Sequence, residues 1–394
     1  MDRERILQLA HATDATVLAA RRHIHQYPEL SFEERETASF VADRLRSLGY
    51  APQTNIAGYG VKVVLNGGRP GRTVALRADM DALPLHEPTG LPFASSRPGA
   101  MHACGHDAHT AMLLGAAQAI LEIRDELVGN VVFLFQPAEE KPPGGALPMI
   151  EAGVLEDPPV DCVFGLHQSP TYDVGQFGVT GGPRSASSDT FRVSIISKGG
   201  HAARPHATAD PIAAAGMAIA GIHQIASRRL SAMQPVVITI GTIHGGTKEN
   251  IIPELVTMSG TVRCFDEAIR REVPEMIRNV AETAAAMFGA AATLDYEYGY
   301  PVTKNDDAMA AVARRAAERV FGSANVLTPE PAMPSEDFSY FLQRVPGAFA
   351  SIGAGTPGAT NRGSTHSPSF ILDESALPLG VAFYLSLVSD LLGA

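Results

Sequence analysis

Three stretches share one pattern: TVALRADMD at 73–81, NVVFLFQPAEE at 130–140 and DCVFGLH at 161–167. Each opens on a short apolar run and closes on carboxylates or an imidazole. A run with little polar alternation has no face to give to water, so it belongs in a sheet covered on both sides. Helical periodicity surrounds these runs, in RILQLAHATDATVLAARRHIHQ, in ERETASFVADRLRSLG closed by Gly49, and in HTAMLLGAAQAILEIRDEL. GVKVVLN adds another strand. Strands and helices that alternate in this way imply an α/β sandwich with helices on both faces of the sheet.

The pattern changes at the Gly/Ser-rich GVTGGPRSASSD, residues 178–189. A compact set follows. FRVSIIS reads as a strand, DPIAAAGMAIAGIHQIASRRL as a helix, and PVVITIGTIHG and ELVTMSGTVRCF as strands. EAIRREVPEMIRNVAETAAAMFG is a long helix and ATLDYEYGY a last strand. The order β-α-β-β-α-β fits a ferredoxin-like unit. At 394 residues the chain is longer than one hydrophobic core usually serves. The expected organisation is a catalytic α/β domain in two parts, 1–182 and 299–394, with an α+β domain inserted at 183–298.

A formal net charge of −11 and the lack of a Lys/Arg stripe argue against nucleic acid as a partner. The charged start MDRERILQ is unlike a signal peptide, and no run of about 18 apolar residues suggests a membrane span. Three widely spaced cysteines do not make a disulfide framework, so a reducing cytoplasm is expected.

Ligands of open α/β sheets bind beyond the carboxyl ends of the strands. Asp79 and Asp81, Glu139 and Glu140, and His167 are all expected there. MHACGHDAHT, at 101–110, opens a helix near them with Cys104, His106 and His109. A cluster of carboxylates, imidazoles and a thiol is satisfied by cations, and two divalent ions are the economical solution. Zn, Mn, Co and Ni all suit such donors. One glutamate of the pair can ligate while its neighbour takes a proton from water, which is the chemistry of metal-assisted amide hydrolysis.

RRHIHQYPELSFEE, ALRADMDALP, MHACGHDAHT, FLFQPAEE, SKGGHAARPH, GGTKENIIPE, PSEDFSYF and THSPSF occur in that order over nearly the whole chain. In this the sequence resembles the dinuclear metal-dependent aminoacylase/carboxypeptidase family, and within it the hippurate hydrolase and indole-acetyl-amino-acid hydrolase branch. The resemblance implies Cys104, His106, Glu140, His167 and His366 as metal ligands and Glu139 as the general base. It implies His201 as the donor to the developing oxyanion, and Asn250 and Arg263 as the groups that hold the substrate's carboxylate. It places Asp79 and Asp81 in support, and makes the inserted domain a lid through which a homodimer or higher homo-oligomer forms. PSEDFSYF fits a helix start with Ser335 as N-cap. His23, His25 and His102 are expected to be structural. The implied reaction cleaves a small N-acyl amino acid to a carboxylic acid and a free amino acid. The alternatives are a dipeptidase or an N-acetyl-amino-acid deacetylase of a biosynthetic pathway and, from another class, a non-catalytic metal-dependent binding protein.

Overall fold

The computed structural model describes residues 1–359 and 363–393. The chain divides into two compact units, one of residues 1–184, 304–330 and 337–394, the other of residues 185–303 and 331–336.

The first unit is built on an eight-stranded mixed sheet, in the order Gln53–Ile56, Gly60–Asn66, Val128–Gln136, Arg69–Asp79, Cys162–Asp173, Gly347–Gly355, Phe177–Gly178, Val326–Leu327. The four strands at 69–79, 128–136, 162–173 and 347–355 run parallel. Their apolar runs alternate between two cores, as a side-chain period of two requires. Val74, Leu76, Ala78, Val131, Phe133 and Phe135 join the larger cluster, while Ala75, Val132 and Leu134 join the smaller. Helices Asp14–Gln26, His106–Leu121, Asp307–Phe321 and Leu377–Leu392 contribute to the larger cluster. The short helix Ala146–Glu151 with Phe338 and Phe341 fills the smaller one. Segment Glu374–Leu392 is long and apolar enough to cross a membrane, but Leu377, Val381, Phe383, Leu385 and Val388 are core residues of the larger cluster.

The sequence 5–26 is not one helix. It breaks between Arg3–His11 and Asp14–Gln26, where the Thr13 hydroxyl donates to the Ala10 carbonyl at 2.7 Å. Helix Arg35–Ser47 ends as expected, with Gly49 in the left-handed region at φ +88°.

The second unit is ferredoxin-like. Its sheet has the order Val236–Gly245, Leu255–Cys264, Asp189–Ile196, Ala291–Tyr298, antiparallel throughout. Helices Pro211–Arg228 and Glu267–Met287 pack on one face around Ile222, Val273, Ile277 and Val193. Asp210 and Asp266 each cap a helix by accepting two backbone N–H groups. Arg270 is buried in an ion pair with Asp189, 2.6 Å apart.

Candidate metal centre

The site is assembled at one end of the parallel strands. Strand 69–79 delivers Asp79 as its last residue, and strand 128–136 ends three residues before Glu139. His167 is not at a strand end as the sequence suggested, because strand 162–173 stays paired with 347–355 beyond it. Its ladder with 69–79 stops at Arg77 opposite Gly165, however, so two residues further His167 comes level with Asp79. Helix His106–Leu121 starts from Gly105, held at φ +83° where a non-glycine residue is strained.

Four overlapping groups that contain Cys104 or His106 bring potential ligand atoms within 4.8 Å of one another: Cys104 with His106 and His167, Cys104 with Glu140 and His366, His106 with Glu139 and Glu140, and His106 with Asp79 and His109. The Cys104 sulfur lies 3.4 Å from His167 Nε2, and His366 Nε2 lies 3.2 Å from Glu140 Oε1. His366 is placed by a left-handed backbone, φ +60°, and by its N–H donating to the Ala103 carbonyl at 2.9 Å.

The supporting bonds decide which nitrogen of each ring faces the site. His106 Nδ1 bonds Asp81 Oδ1 at 3.1 Å, which leaves Nε2 buried with no hydrogen-bond partner among the described residues. Its nearest anionic oxygens are 3.8 Å away on Glu140 and 3.9 Å away on Asp79. His167 Nδ1 bonds the Gln168 carbonyl and so presents Nε2 to Cys104. His109 has no free nitrogen, since Nδ1 bonds Asp79 Oδ1 at 2.6 Å and Nε2 accepts the Gln168 N–H at 2.8 Å. It braces His167's neighbour and is a poor ligand.

Electrostatics follow from this burial. Burial opposes a charged His106, but Asp79, Cys104 and Asp81 outweigh it and raise its pKa well above the usual histidine value. Burial, with His109 and His106 nearby, holds His167 well below that value. Burial and Glu140 push the Cys104 thiol well up. The hydrogen bond to Glu140 raises His366.

Two buried groups were not foreseen. Arg77 bonds Asp79 at 2.6 Å, Asp337 at 2.9 Å and Gln136 at 2.8 Å. Burial opposes an ionised Asp79, but His106 first, then Arg77 and His109, outweigh it and hold its pKa well below the usual carboxylate value. Asp337 also accepts the Ala146 N–H at 3.0 Å, and burial pushes its carboxyl up to about 6. Asp107 pairs with Arg21 at 2.9 Å and His25 at 2.8 Å. His25 is thus structural, and burial pushes His102 down to about 4. The expected helix at Ser335 is absent: the helix there is Ser339–Leu342, and Phe338 holds the N-cap position. Asp337 is committed to Arg77, Gln136 and Ala146, so the acidic residues do not form a first helical turn.

In the second unit His201 and Asn250 are neighbours. Ile251 pairs with His201 in a two-stranded ladder, and the Ala202 N–H donates to the Asn250 carbonyl at 3.1 Å. Arg263 lies on strand 255–264, half-buried, with its Nη1 lacking a partner among the described residues.

Residues 75–390 match the model of peptidase family M20/M25/M40. The chain belongs to that family. Among relatives it is 42% identical to N-acetyl-L-cysteine deacetylase of Bacillus subtilis (strain 168), over 92% of this chain and 84% of that one. It is 41% identical to thermostable carboxypeptidase 1 of Saccharolobus solfataricus, over 92% of each. A crystal structure of a dinuclear metal-binding M20 peptidase from Bacillus subtilis superposes with a TM-score of 0.85 at 37% identity, over 96% of this chain and 98% of that one. M20 membership makes this chain a hydrolase that acts on amides.

Proposed function

We propose that the chain hydrolyses N-acyl amino acids to a carboxylic acid and a free amino acid, with two divalent cations held by Cys104, His106, Glu140, His167 and His366. The observation that carries this reading is the meeting of two triads, Cys104–His106–His167 and Cys104–Glu140–His366, at a single thiol. The donor set fits cations in two further ways. The buried Nε2 of His106 has no hydrogen-bond partner among the described residues, and a cation that replaced the Cys104 proton would offset the repulsion between the resulting thiolate and Glu140. Zn, Mn, Co and Ni all accept such donors, the thiolate favouring the softer of them.

Bound there, the cations supply positive charge that polarises an amide carbonyl and acidifies water. Glu139, buried beside His106 and Glu140, is the base. It takes the proton of the attacking water and returns it to the leaving nitrogen. His201 is assigned to the developing oxyanion, and Asn250 and Arg263 to the substrate's carboxylate. The unfilled Nη1 of Arg263 supports that last role, because a guanidinium pairs with a carboxylate through two parallel donors. One relative is named for deacetylating N-acetyl-L-cysteine, whose amide lies next to a free carboxylate, and another is named a carboxypeptidase. A panel of N-acyl amino acids and dipeptides separates the acyl groups from one another and from the dipeptidase alternative. A homodimer through the second unit agrees with its ten-residue exposed edge strand, Val236–Gly245. A cytoplasmic location agrees with three free cysteines.

The test strips the protein with chelator and resupplies Mn, Zn, Co or Ni separately. Amino-acid release is then followed from N-acetyl, N-benzoyl and N-indole-acetyl amino acids and from dipeptides. Metal-restored release from an N-acyl class is expected. Glu139→Gln should keep its metal and lose about 100-fold or more in kcat. No release from folded, metal-loaded protein would overturn the reading.

A further inference from the structure

The segment PELSFEE, residues 28–34, supplies none of the groups assigned above, yet it lies against the chain that carries Asp79 and Asp81. Leu30 bridges to Ala82, whose N–H donates to the Glu29 carbonyl at 2.8 Å. Two side chains of the segment then reach the site. The Ser31 hydroxyl donates to Asp81 Oδ2 at 2.6 Å. Glu34, fully buried, accepts the Ala138 N–H on Oε1 at 2.7 Å and the Phe32 N–H on the same oxygen at 3.1 Å.

Burying a carboxyl is costly, so what it bonds to is informative. Glu34 stands at the N-cap of helix Arg35–Ser47, but its side chain makes no cap bond there. That duty falls to Glu29, which accepts the N–H groups of Glu36 and Thr37. Glu34 serves Ala138 and Phe32 instead, and both are non-glycine residues with left-handed backbones, at φ +56° and +69°. Such a conformation persists only where the surroundings impose it. Ala138 is followed directly by the two glutamates of the site. The Glu140 N–H is in turn fixed on Asp81 Oδ2, 2.9 Å away, the oxygen that Ser31 also contacts. Glu139 therefore lies between two tethered N–H groups, one held by Glu34 and one by Asp81.

We infer that Glu34 is a positioning residue for Glu139: by accepting the Ala138 N–H it holds the left-handed turn that sets the base beside His106. The inference rests on the assignment of Glu139 as base. What it requires of Glu34 is an acceptor oxygen and not a charge. Burial together with Asp81 pushes the carboxyl up to about 7, which agrees with that requirement.

The test compares wild type, Glu139→Gln, Glu34→Met and Glu34→Gln on the N-acyl amino acid that wild type cleaves fastest. It separates kcat from KM, counts bound metal by elemental analysis and checks folding by circular dichroism. Glu34→Met, which keeps the length but not the acceptor, should lose about 100-fold in kcat, the cost of misplacing a reacting group by about 1 Å. Its KM and metal content should stay at wild-type values, and Glu34→Gln should recover most of the kcat. A folded Glu34→Met with wild-type kcat, or one whose loss tracks lost metal, overturns the inference. If Glu34→Met does not fold, Glu34→Gln decides: folded, metal-loaded and as inactive as Glu139→Gln, it overturns the acceptor role. Full turnover by Glu139→Gln removes the base assignment and this inference with it. An inactive Glu139→Gln beside an unimpaired Glu34→Met removes the inference alone.

Discussion

Gly105 shows how one position without a side chain shapes the centre. It holds φ +83° between two of the proposed ligands, and a Cβ there would lie 2.6 Å from Gln168 Cγ. Gln168 bonds the Cys104 carbonyl through Nε2 at 2.8 Å and gives its backbone N–H to His109, so any displacement reaches both sides of the site. Gly105→Ala should cost about 1–3 kcal/mol in stability and lower the metal content, read by denaturant unfolding and elemental analysis. A variant with wild-type stability and metal content would show that the turn tolerates a side chain. In the sequence, Cys104, His106, Glu139 and Glu140 are legible because they cluster locally on strand and helix termini. His366 is not legible in that way: it comes from the far end of the chain and entered only through the family resemblance. Arg77 was hidden for a related reason. It reads as an ordinary strand residue, and its partner Asp337 is 260 residues away in the chain.

Elements were legible where periodicity alone decides them, and not where pairing does. The β-α-β-β-α-β order identified the ferredoxin-like unit because that motif fixes its own strand order. The large sheet has no such shortcut. Strands 60–66 and 69–79 are adjacent in sequence, yet strand 128–136 lies between them. Buried ion pairs between distant elements are equally invisible to local pattern. Asp107, on the first turn of helix His106–Leu121, joins that helix to Arg21 and His25 of helix Asp14–Gln26. Burial works against the carboxylate, but Arg21 and His25 outweigh it and hold its pKa far below the usual value. Removing Asp107 takes away the carboxylate that these two buried groups share, and leaves Arg21 with Glu374 alone and His25 with Glu87 alone. Asp107→Ala should therefore destabilise metal-stripped protein by about 3–5 kcal/mol in urea unfolding. A loss below about 1 kcal/mol, the worth of an exposed ion pair, would mean that the helices are held together by apolar packing alone.

At the scale of the molecule, the two units have separate cores. Val74, Phe133 and Leu385 belong to one, and Val193, Ile222 and Ile277 to the other. All five proposed metal ligands come from the first unit, whereas His201, Asn250 and Arg263 come from the second. A ligand that binds only folded protein stabilises the cooperative unit that carries its site, by about 4 kcal/mol at a thousandfold excess over Kd. Heat unfolding of metal-loaded protein should therefore show two transitions in calorimetry. Chelator should lower the midpoint of one of them and leave the other in place. Arg270→Ala, which strips the buried Asp189 of its ion-pair partner, should lower the other transition and leave the chelator-sensitive one in place. If chelation and Arg270→Ala instead shift a single common transition, the two cores unfold as one cooperative body, and metal binding in the first unit stabilises the second.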